Sequence, residues 1–338
     1  MKRFEYIRAT TVSDAVTALA AVPGARALAG GTNLVDLMKY DVAQPSRVVD
    51  INRLPLGRIE DTAGGGLRIG ALVPNSDLAW EPRVERRYPL LASAILAGAS
   101  AQLRNAATTG GNLMQRTRCS YFYDRALPCN KREPGSGCPA IAGRNRMHAI
   151  LGTSPSCIAT HPSDMCVALA ALDATVHVEG PGGARTIPFE AFHRLPGDTP
   201  QLDNTLADGE LITAVELPAA EGGPHHTYLK LRDRLSYAFA LVSVAVRLDL
   251  DGGRIARAAV AMGGVAHKPW RDRAAEAELI GKEAERQAFD AFADRFLAQA
   301  KGSGDNDFKL DLARRALIRV LDQAAHGTPQ SQTDKRVA

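Results

Sequence analysis

The sequence predicts two domains of mixed helix and strand, and three observations carry that expectation. A chain of 338 residues is too long to bury its apolar side chains in one simple layer, so two cores are expected. β-branched runs alternate with helix-spaced apolar stretches, and two of the joints are paired glycines, Gly30-Gly31 and Gly110-Gly111. A strand-like run from Leu211 to Leu217 is closed by Pro218 and followed by the linker-like segment 219–224, beyond which a second set of elements begins.

Apolar residues make up 45% of the chain and charged residues 23%, an ordinary balance for a soluble globular protein. The formal charge of +4 is modest and the cations are scattered among acidic residues. Phosphate binding needs clustered Lys and Arg, so a nucleic-acid partner is not expected. No stretch approaches the roughly 20 apolar residues of a membrane span. Met1-Lys2-Arg3-Phe4-Glu5-Tyr6-Ile7 leads into no apolar segment and does not read as a signal peptide, so a cytoplasmic chain is expected unless a partner carries it elsewhere. Five cysteines at irregular spacing fit metal or cluster binding better than a disulfide framework.

In chain order, Phe4 to Ile7 reads as a strand and Ser13 as the cap of a helix through Ala15, Val16 and Leu19. Arg26-Ala27-Leu28-Ala29 reads as a strand entering Gly30-Gly31-Thr32-Asn33, with Leu34 to Met38 as the helix leaving it. Adjacent glycines let backbone N–H groups approach an anion, and a helix start favours negative charge, so a diphosphate suits this turn. Plain turn chemistry explains the same residues, and they do not make the G-x-G-x-x-G pattern of dinucleotide folds. Strands follow at Arg47–Ile51 and Leu67–Ala71, then a helix over Leu90–Leu96 and the second glycine pair. Two such turns in one domain suit a long phosphate-bearing cofactor lying across both.

From Gly110 to Asp164 the chain is rich in Gly, Pro, Arg and Asn without sustained apolar period, and it holds Cys119, Cys129, Cys138 and Cys157. Nine, eight and eighteen residues separate them, with none of the close pairs typical of structural zinc sites and no common ferredoxin run. An iron–sulfur cluster, a zinc ion and unligated thiols all remain open on spacing. Arg116, Arg118, Arg125, Lys131 and Arg132 nearby favour the cluster, by offsetting its charge. Cys166 differs: it falls on an apolar helix face with Leu169 and Ala170 and reads as a buried, inert thiol.

Beyond the loop, Ser163 or Asp164 caps a helix through Val167 and Leu172, and Thr175–Val178 is a strand. The second domain carries strands at Tyr228–Leu231, Ala240–Val246 and Ala258–Met262, then helices over Ala288–Leu297 and Leu310–Leu321. Residues 326–338 are polar and read as a disordered tail. Lys230 has the default reading of a solvent-facing strand residue, and no role is assigned to His161, His225 or His226.

Taken together these residues resemble the flavin subunit of the xanthine dehydrogenase and aldehyde oxidoreductase family of molybdenum hydroxylases. Ala27-Leu28-Ala29-Gly30-Gly31-Thr32-Asn33-Leu34 is similar to the family's first flavin loop and Thr108-Thr109-Gly110-Gly111-Asn112 to its second. Pro162-Ser163-Asp164 resembles the helix start that follows, Ile212 and Lys230 stand at two further flavin contacts, and Val260 to Ala266 resembles a C-terminal signature. The cysteine segment, about 113–160, is an insertion relative to most of the family. With Gln115 to Cys119, Pro128 to Arg132 and Arg234 to Ser243, it resembles the flavin subunits of periplasmic aldehyde oxidoreductases, in which four such cysteines hold a [4Fe–4S] cluster.

The resemblance implies an α+β fold: an FAD-binding domain of the vanillyl-alcohol oxidase (PCMH) type with two subdomains over 1–220, and a CO-dehydrogenase-flavoprotein-like α/β domain over 225–325. It implies FAD at Ala27, Leu28, Ala29, Gly30, Gly31, Thr32, Asn33, Leu34, Thr108, Gly110, Gly111, Asn112, Asp164, Ile212 and Lys230, and a [4Fe–4S] cluster at Cys119, Cys129, Cys138 and Cys157. The molybdenum cofactor and [2Fe–2S] clusters are then expected on two partner chains of a heterotrimer. No side chain here is expected to act on the substrate, and co-export with a signal-bearing partner would make the complex periplasmic. A self-contained flavin oxidase and a zinc-stapled nucleotide-binding module are the alternatives.

Overall fold

The computed structural model describes residues 1–220 and 222–332. Its first sheet is parallel, with β1 (Glu5–Arg8), β2 (Arg26–Leu28) and β3 (Arg47–Asp50) in the order β1-β3-β2. The helix Val12–Ala20 buries Ala15, Val16 and Leu19 against Val49, Ile51 and Leu54 beside it. Thr11, not Ser13, caps that helix: the Thr11 hydroxyl accepts from the Asp14 amide and the Asp14 carboxylate accepts from the Thr11 amide, each at 3.0 Å. Ser13 sits inside the first turn, because only the preceding residue has the extended backbone that aims its side chain at the free N–H groups.

A second, antiparallel sheet contains β4 (Ile59–Asp61), β5 (Leu67–Gly70), β6 (Thr175–Gly180), β7 (Gly183–Pro188) and β8 (Leu211–Leu217), ordered β4-β5-β8-β6-β7. Because β8 pairs with both β5 and β6, strands from before and after the cysteine segment share one sheet. The helices Pro89–Ala97 and Asp164–Ala171 pack in the same apolar core as Leu67, Ile69, Val176 and Val215. Both ends of the insertion are thereby fixed: Leu113 and Met165 are each 1% exposed within that core.

The second domain is built on an antiparallel sheet of β9 (His226–Leu231), β10 (Val242–Asp251), β11 (Arg254–Gly263) and β12 (Trp270–Arg271). Alternation along β10 and β11 sorts the residues between two cores. Val242, Val244, Val246, Val260 and Met262 face the helices Arg286–Phe296 and Phe308–Ala325. Ala245, Ala259 and Ala261 join the core of the first domain, where small side chains let the helix Asp164–Ala171 lie close against the sheet.

The cysteine segment holds one short helix, Ser120–Tyr123, and is docked on the second domain. Ile150 and Leu151 enter that domain's core, and their amides donate to the Val265 carbonyl at 2.9 and 3.0 Å. The tail is corrected in part: Gln330 donates its amide to Thr227 Oγ1 at 2.9 Å and Gln332 Nε2 donates to the Tyr228 carbonyl at 2.9 Å, so residues up to 332 are tied to β9. The remaining six, 333–338, lie outside the described residues.

Candidate functional site

The two glycine turns meet. A Cβ on Gly30 would stand 1.7 Å from the Ala106 carbonyl oxygen, so the turn after β2 lies directly on the segment that leads into Thr108. Gly31 has φ +72°, a conformation that disfavours a side chain. Gly110 and Gly111 lie within the short helix Thr109–Leu113, whose cap Thr108 accepts from the Gly111 amide at 3.2 Å. Asn33 reaches across to the insertion, its Oδ1 accepting from the Arg116 amide at 2.9 Å, while its Nδ2 is buried without a hydrogen-bond partner. Asn112 accepts from Ser163 Oγ at 2.5 Å and donates to Asn75 Oδ1 at 2.8 Å, joining the second turn to the start of the helix Asp164–Ala171. Ile212 is 4% exposed in β8, with its side chain in the core of the first domain.

Ser163, not Asp164, is the cap of that helix, its Oγ accepting from the Cys166 amide at 3.0 Å. Asp164 is thereby free for other partners: it accepts from Tyr228 Oη at 2.7 Å and from Lys230 Nζ at 2.8 Å. The solvent-facing reading of Lys230 is overturned, since its side chain is 3% exposed and its ammonium also donates to the Ala97 carbonyl at 3.2 Å. The β9 alternation that places Tyr228 and Lys230 on one face aims both at Asp164. Burial and the adjacent carboxylate push the Tyr228 hydroxyl well above its ordinary range, so it remains a donor. Asp164, Ser163, Gly263 and Gly264 line a cavity of about 350 Å³ between the domains.

Cys119, Cys129, Cys138 and Cys157 line one smaller cavity together. All five cysteines are free thiols. Cys138 is held below the usual thiol range by the hydrogen bond it accepts from Cys157 and by the Ile158, Ala140 and Ile141 amides. As the donor of that pair Cys157 is pushed up, and burial pushes Cys119 up to about 11. The expected cationic surround is mostly spent on other partners. Arg116 and Lys131 both bind Asp203, Arg118 faces Asp36, Arg125 faces Asp41, and the Arg132 guanidinium donates to four backbone carbonyls. Of the five, Lys131 is the one whose charge lowers the Cys157 thiol.

Cys166 is 0% exposed in its helix, and burial pushes its thiol up to about 12, in keeping with an inert packing residue. Its Sγ lies within 4.8 Å of a ring nitrogen of both His161 and His193, a grouping that no local sequence signal announces. The Ser163 amide donates to His161 Nδ1 at 3.5 Å, and His161 Nε2 is buried without a hydrogen-bond partner. Sequence reasoning also missed His148, whose Nε2 lies 3.1 Å from Cys119 Sγ.

Residues 2–220 match the family model described as the FAD binding domain in molybdopterin dehydrogenase, and residues 226–324 match the CO dehydrogenase flavoprotein C-terminal domain. The chain belongs to this family of FAD-binding molybdenum hydroxylase subunits. It is 54% identical to the aldehyde oxidoreductase FAD-binding subunit of Escherichia coli K12, over 96% of this chain and 99% of that protein. Identity to the carbon monoxide dehydrogenase medium chain of Hydrogenophaga pseudoflava is 29%, over 95% of this chain and 97% of that one. The solved carbon monoxide dehydrogenase of that organism superposes with a TM-score of 0.76 at 29% identity, covering 96% of this chain and 98% of that chain. The expected fold class, FAD-binding domain plus flavoprotein C-terminal domain, is the one found. As a family member the chain is the FAD subunit of a multi-subunit oxidoreductase of the aldehyde oxidoreductase and CO dehydrogenase type.

Proposed function

We propose that this chain is the FAD- and [4Fe–4S]-containing electron-transfer subunit of a heterotrimeric, molybdenum-dependent aldehyde oxidoreductase. In this reading an aldehyde is oxidised on the molybdenum-bearing partner, [2Fe–2S] clusters on a second partner relay the electrons, and an external acceptor takes them from this subunit. The observation that carries it is the convergence of Cys119, Cys129, Cys138 and Cys157 on one cavity in a chain 54% identical to an aldehyde oxidoreductase FAD-binding subunit. Four unpaired thiols brought together from separate stretches suit a Cys₄-ligated cluster.

Bound FAD supplies the two-electron to one-electron exchange between the relay and the acceptor. This chain's part is to hold it. The loop Ala27–Leu34 and the turn Thr108–Asn112 form the diphosphate side, and the unpartnered Asn33 Nδ2 offers a buried donor there. At the other end, Asp164 and Lys230 fix each other beside the larger cavity, where the flavin ring is assigned. The Lys230 charge is matched by Asp164, so the pair orients without presenting a bare cation. Ile212 contributes through its strand, its side chain being committed to the core. No side chain is assigned proton transfer to the substrate. Export to the periplasm together with a signal-bearing partner completes the proposal, with the cytoplasm as the alternative.

The visible spectrum and metal content of the purified protein test this reading. Flavin bands with a broad iron–sulfur shoulder and about four iron per chain are expected. Flavin without iron would return the chain to a plain flavin subunit, and zinc in place of iron would make the cysteine segment a structural staple.

A further inference from the structure

We propose that His148 is the hydrogen-bond donor that sets the reduction potential of the cluster on Cys119, Cys129, Cys138 and Cys157, an inference that rests on the cluster reading above. His148 Nε2 lies 3.1 Å from Cys119 Sγ. A metal-bound thiolate carries no proton, so this contact is attractive only with the hydrogen on Nε2. The other ring nitrogen, Nδ1, is buried without a hydrogen-bond partner, so no acceptor beside it competes for the proton.

The donor is held in place from the second domain. The His148 carbonyl accepts from Lys309 Nζ at 3.0 Å and from Asn306 Nδ2 at 3.3 Å, and the same Asn306 amide donates to the Ala149 carbonyl at 3.0 Å. Both Asn306 and Lys309 are 0% exposed. The His148 amide donates to the Asn145 carbonyl at 2.8 Å, closing a turn that fixes where the ring emerges. Such outlay of buried polar groups on one backbone carbonyl is accounted for if the side chain it carries has a defined task.

Position supplies the second argument. Thr117, Cys119 and His148 line both the small cysteine cavity and the larger cavity beside Asp164. Cys119 is thus the cluster ligand that faces the flavin side, and His148 touches that one. Cys157 Sγ instead accepts from the Ala159 amide at 3.4 Å, and Cys138 is met by Cys157 and by backbone amides. Reduction adds one electron and no proton, and the extra negative charge is shared by the thiolate sulfurs. An N–H donated to Cys119 stabilises the reduced form more than the oxidised one and raises the potential.

The test is an EPR-monitored redox titration of the complete complex carrying wild-type chain, His148→Phe or His148→Gln, with iron and acid-labile sulfide measured alongside. Loss of the donor in His148→Phe is expected to lower the equilibrium constant for cluster reduction about tenfold, which is about 59 mV for one electron. His148→Gln keeps an N–H at a similar reach and is expected to restore most of it. Equal potentials in wild type and His148→Phe, with iron retained in both, overturn the inference. Absence of iron from the wild type instead overturns the cluster reading beneath it. If His148→Phe fails to hold iron, pulsed EPR of the reduced wild-type cluster with ¹⁵N-histidine decides. A weak nitrogen coupling supports the donor, and no coupling overturns it.

Discussion

Lys230 is a cation that its local sequence assigns to solvent, yet it is 3% exposed and 2.8 Å from the Asp164 carboxylate. Its partner is 66 positions away, so no local pattern could show the pair. Removing one member of a buried ion pair leaves the other charge desolvated, at a cost of about 3–5 kcal/mol. Lys230→Met should lose that much in urea unfolding, and the double variant with Asp164→Asn should lose less than the sum of the singles. Additive losses would show that the two do not interact. Lys230→Met alone leaves a bare carboxylate beside the assigned flavin ring, so the flavin midpoint potential should fall; an unchanged potential at full flavin content would move the ring away from Lys230.

Buried histidines give a pH signature at the same scale. Burial holds His193 and His267 down to about 4, and holds His161 well below its ordinary value. Their folded pKa values lie below the unfolded value of about 6.5, so the unfolded chain binds protons first as pH falls. Their contribution is therefore complete above about pH 6.5 and lost as pH drops toward 4, by up to about 1.4 kcal/mol per pH unit for each ring. Urea midpoints measured between pH 7 and 4.5 should decline accordingly, and His193→Gln should flatten the slope. A flat wild-type profile would contradict the neutral, buried state of these rings.

Among the elements, the glycine turns show where packing and ligand reasons coincide. Gly30 is required by the Ala106 carbonyl and Gly31 by its φ of +72° whether or not a ligand is bound, so substitution at either would strain the fold by itself. Gly111 separates the two: a Cβ there meets only Thr108 Oγ1, at 2.9 Å. Gly111→Ala should cost no more than a weakened cap, about 0.5–2 kcal/mol, while flavin per chain falls if the backbone must approach the cofactor. Full flavin content would remove the second turn from the diphosphate site.

The long periodic elements were legible. The helices Pro89–Ala97, Arg286–Phe296 and Phe308–Ala325, and the strands β3, β8, β10 and β11, stand where their apolar spacing puts them. The elements without a sequence signal are short or lie at an edge. Asn75–Ala79 and Pro82–Arg87 have too few turns to show a period, and β7 exposes five of its six residues at the sheet edge, so it has no alternation to read. In the site, the glycine turns and the four cysteines could be picked out because unusual residue types cluster there. Tyr228, His148, Asn306 and Lys309 could not, because each acts through a contact made only in the folded chain.

At the scale of the whole molecule, the cysteine segment is a wedge fixed at three places. Its ends lie in the core of the first domain, and its middle is fastened to the second by Ile150, Leu151 and the buried Lys309. Burial holds Lys309 down to about 7. Lys309→Met would leave the Gly264 carbonyl without its donor and the His148 carbonyl with Asn306 Nδ2 alone, a loss of about 1–3 kcal/mol that proteolysis should localise to the insertion. Uniform cleavage across the chain would instead mean that the wedge does not depend on this anchor. Docking of this kind brings together four thiols spread over 38 positions, from Cys119 to Cys157, in a segment with little apolar core of its own. Thiolate ligation to iron would then offset the closure entropy of so long a loop.

The measurement that bears most directly on that claim is iron and acid-labile sulfide in five single variants, each cysteine replaced by serine in turn. Cys119→Ser, Cys129→Ser, Cys138→Ser and Cys157→Ser are each expected to lower iron and sulfide together, while Cys166→Ser, altered only inside a packed helix, keeps the wild-type content. Iron lost in Cys166→Ser but kept in any of the other four would contradict the account.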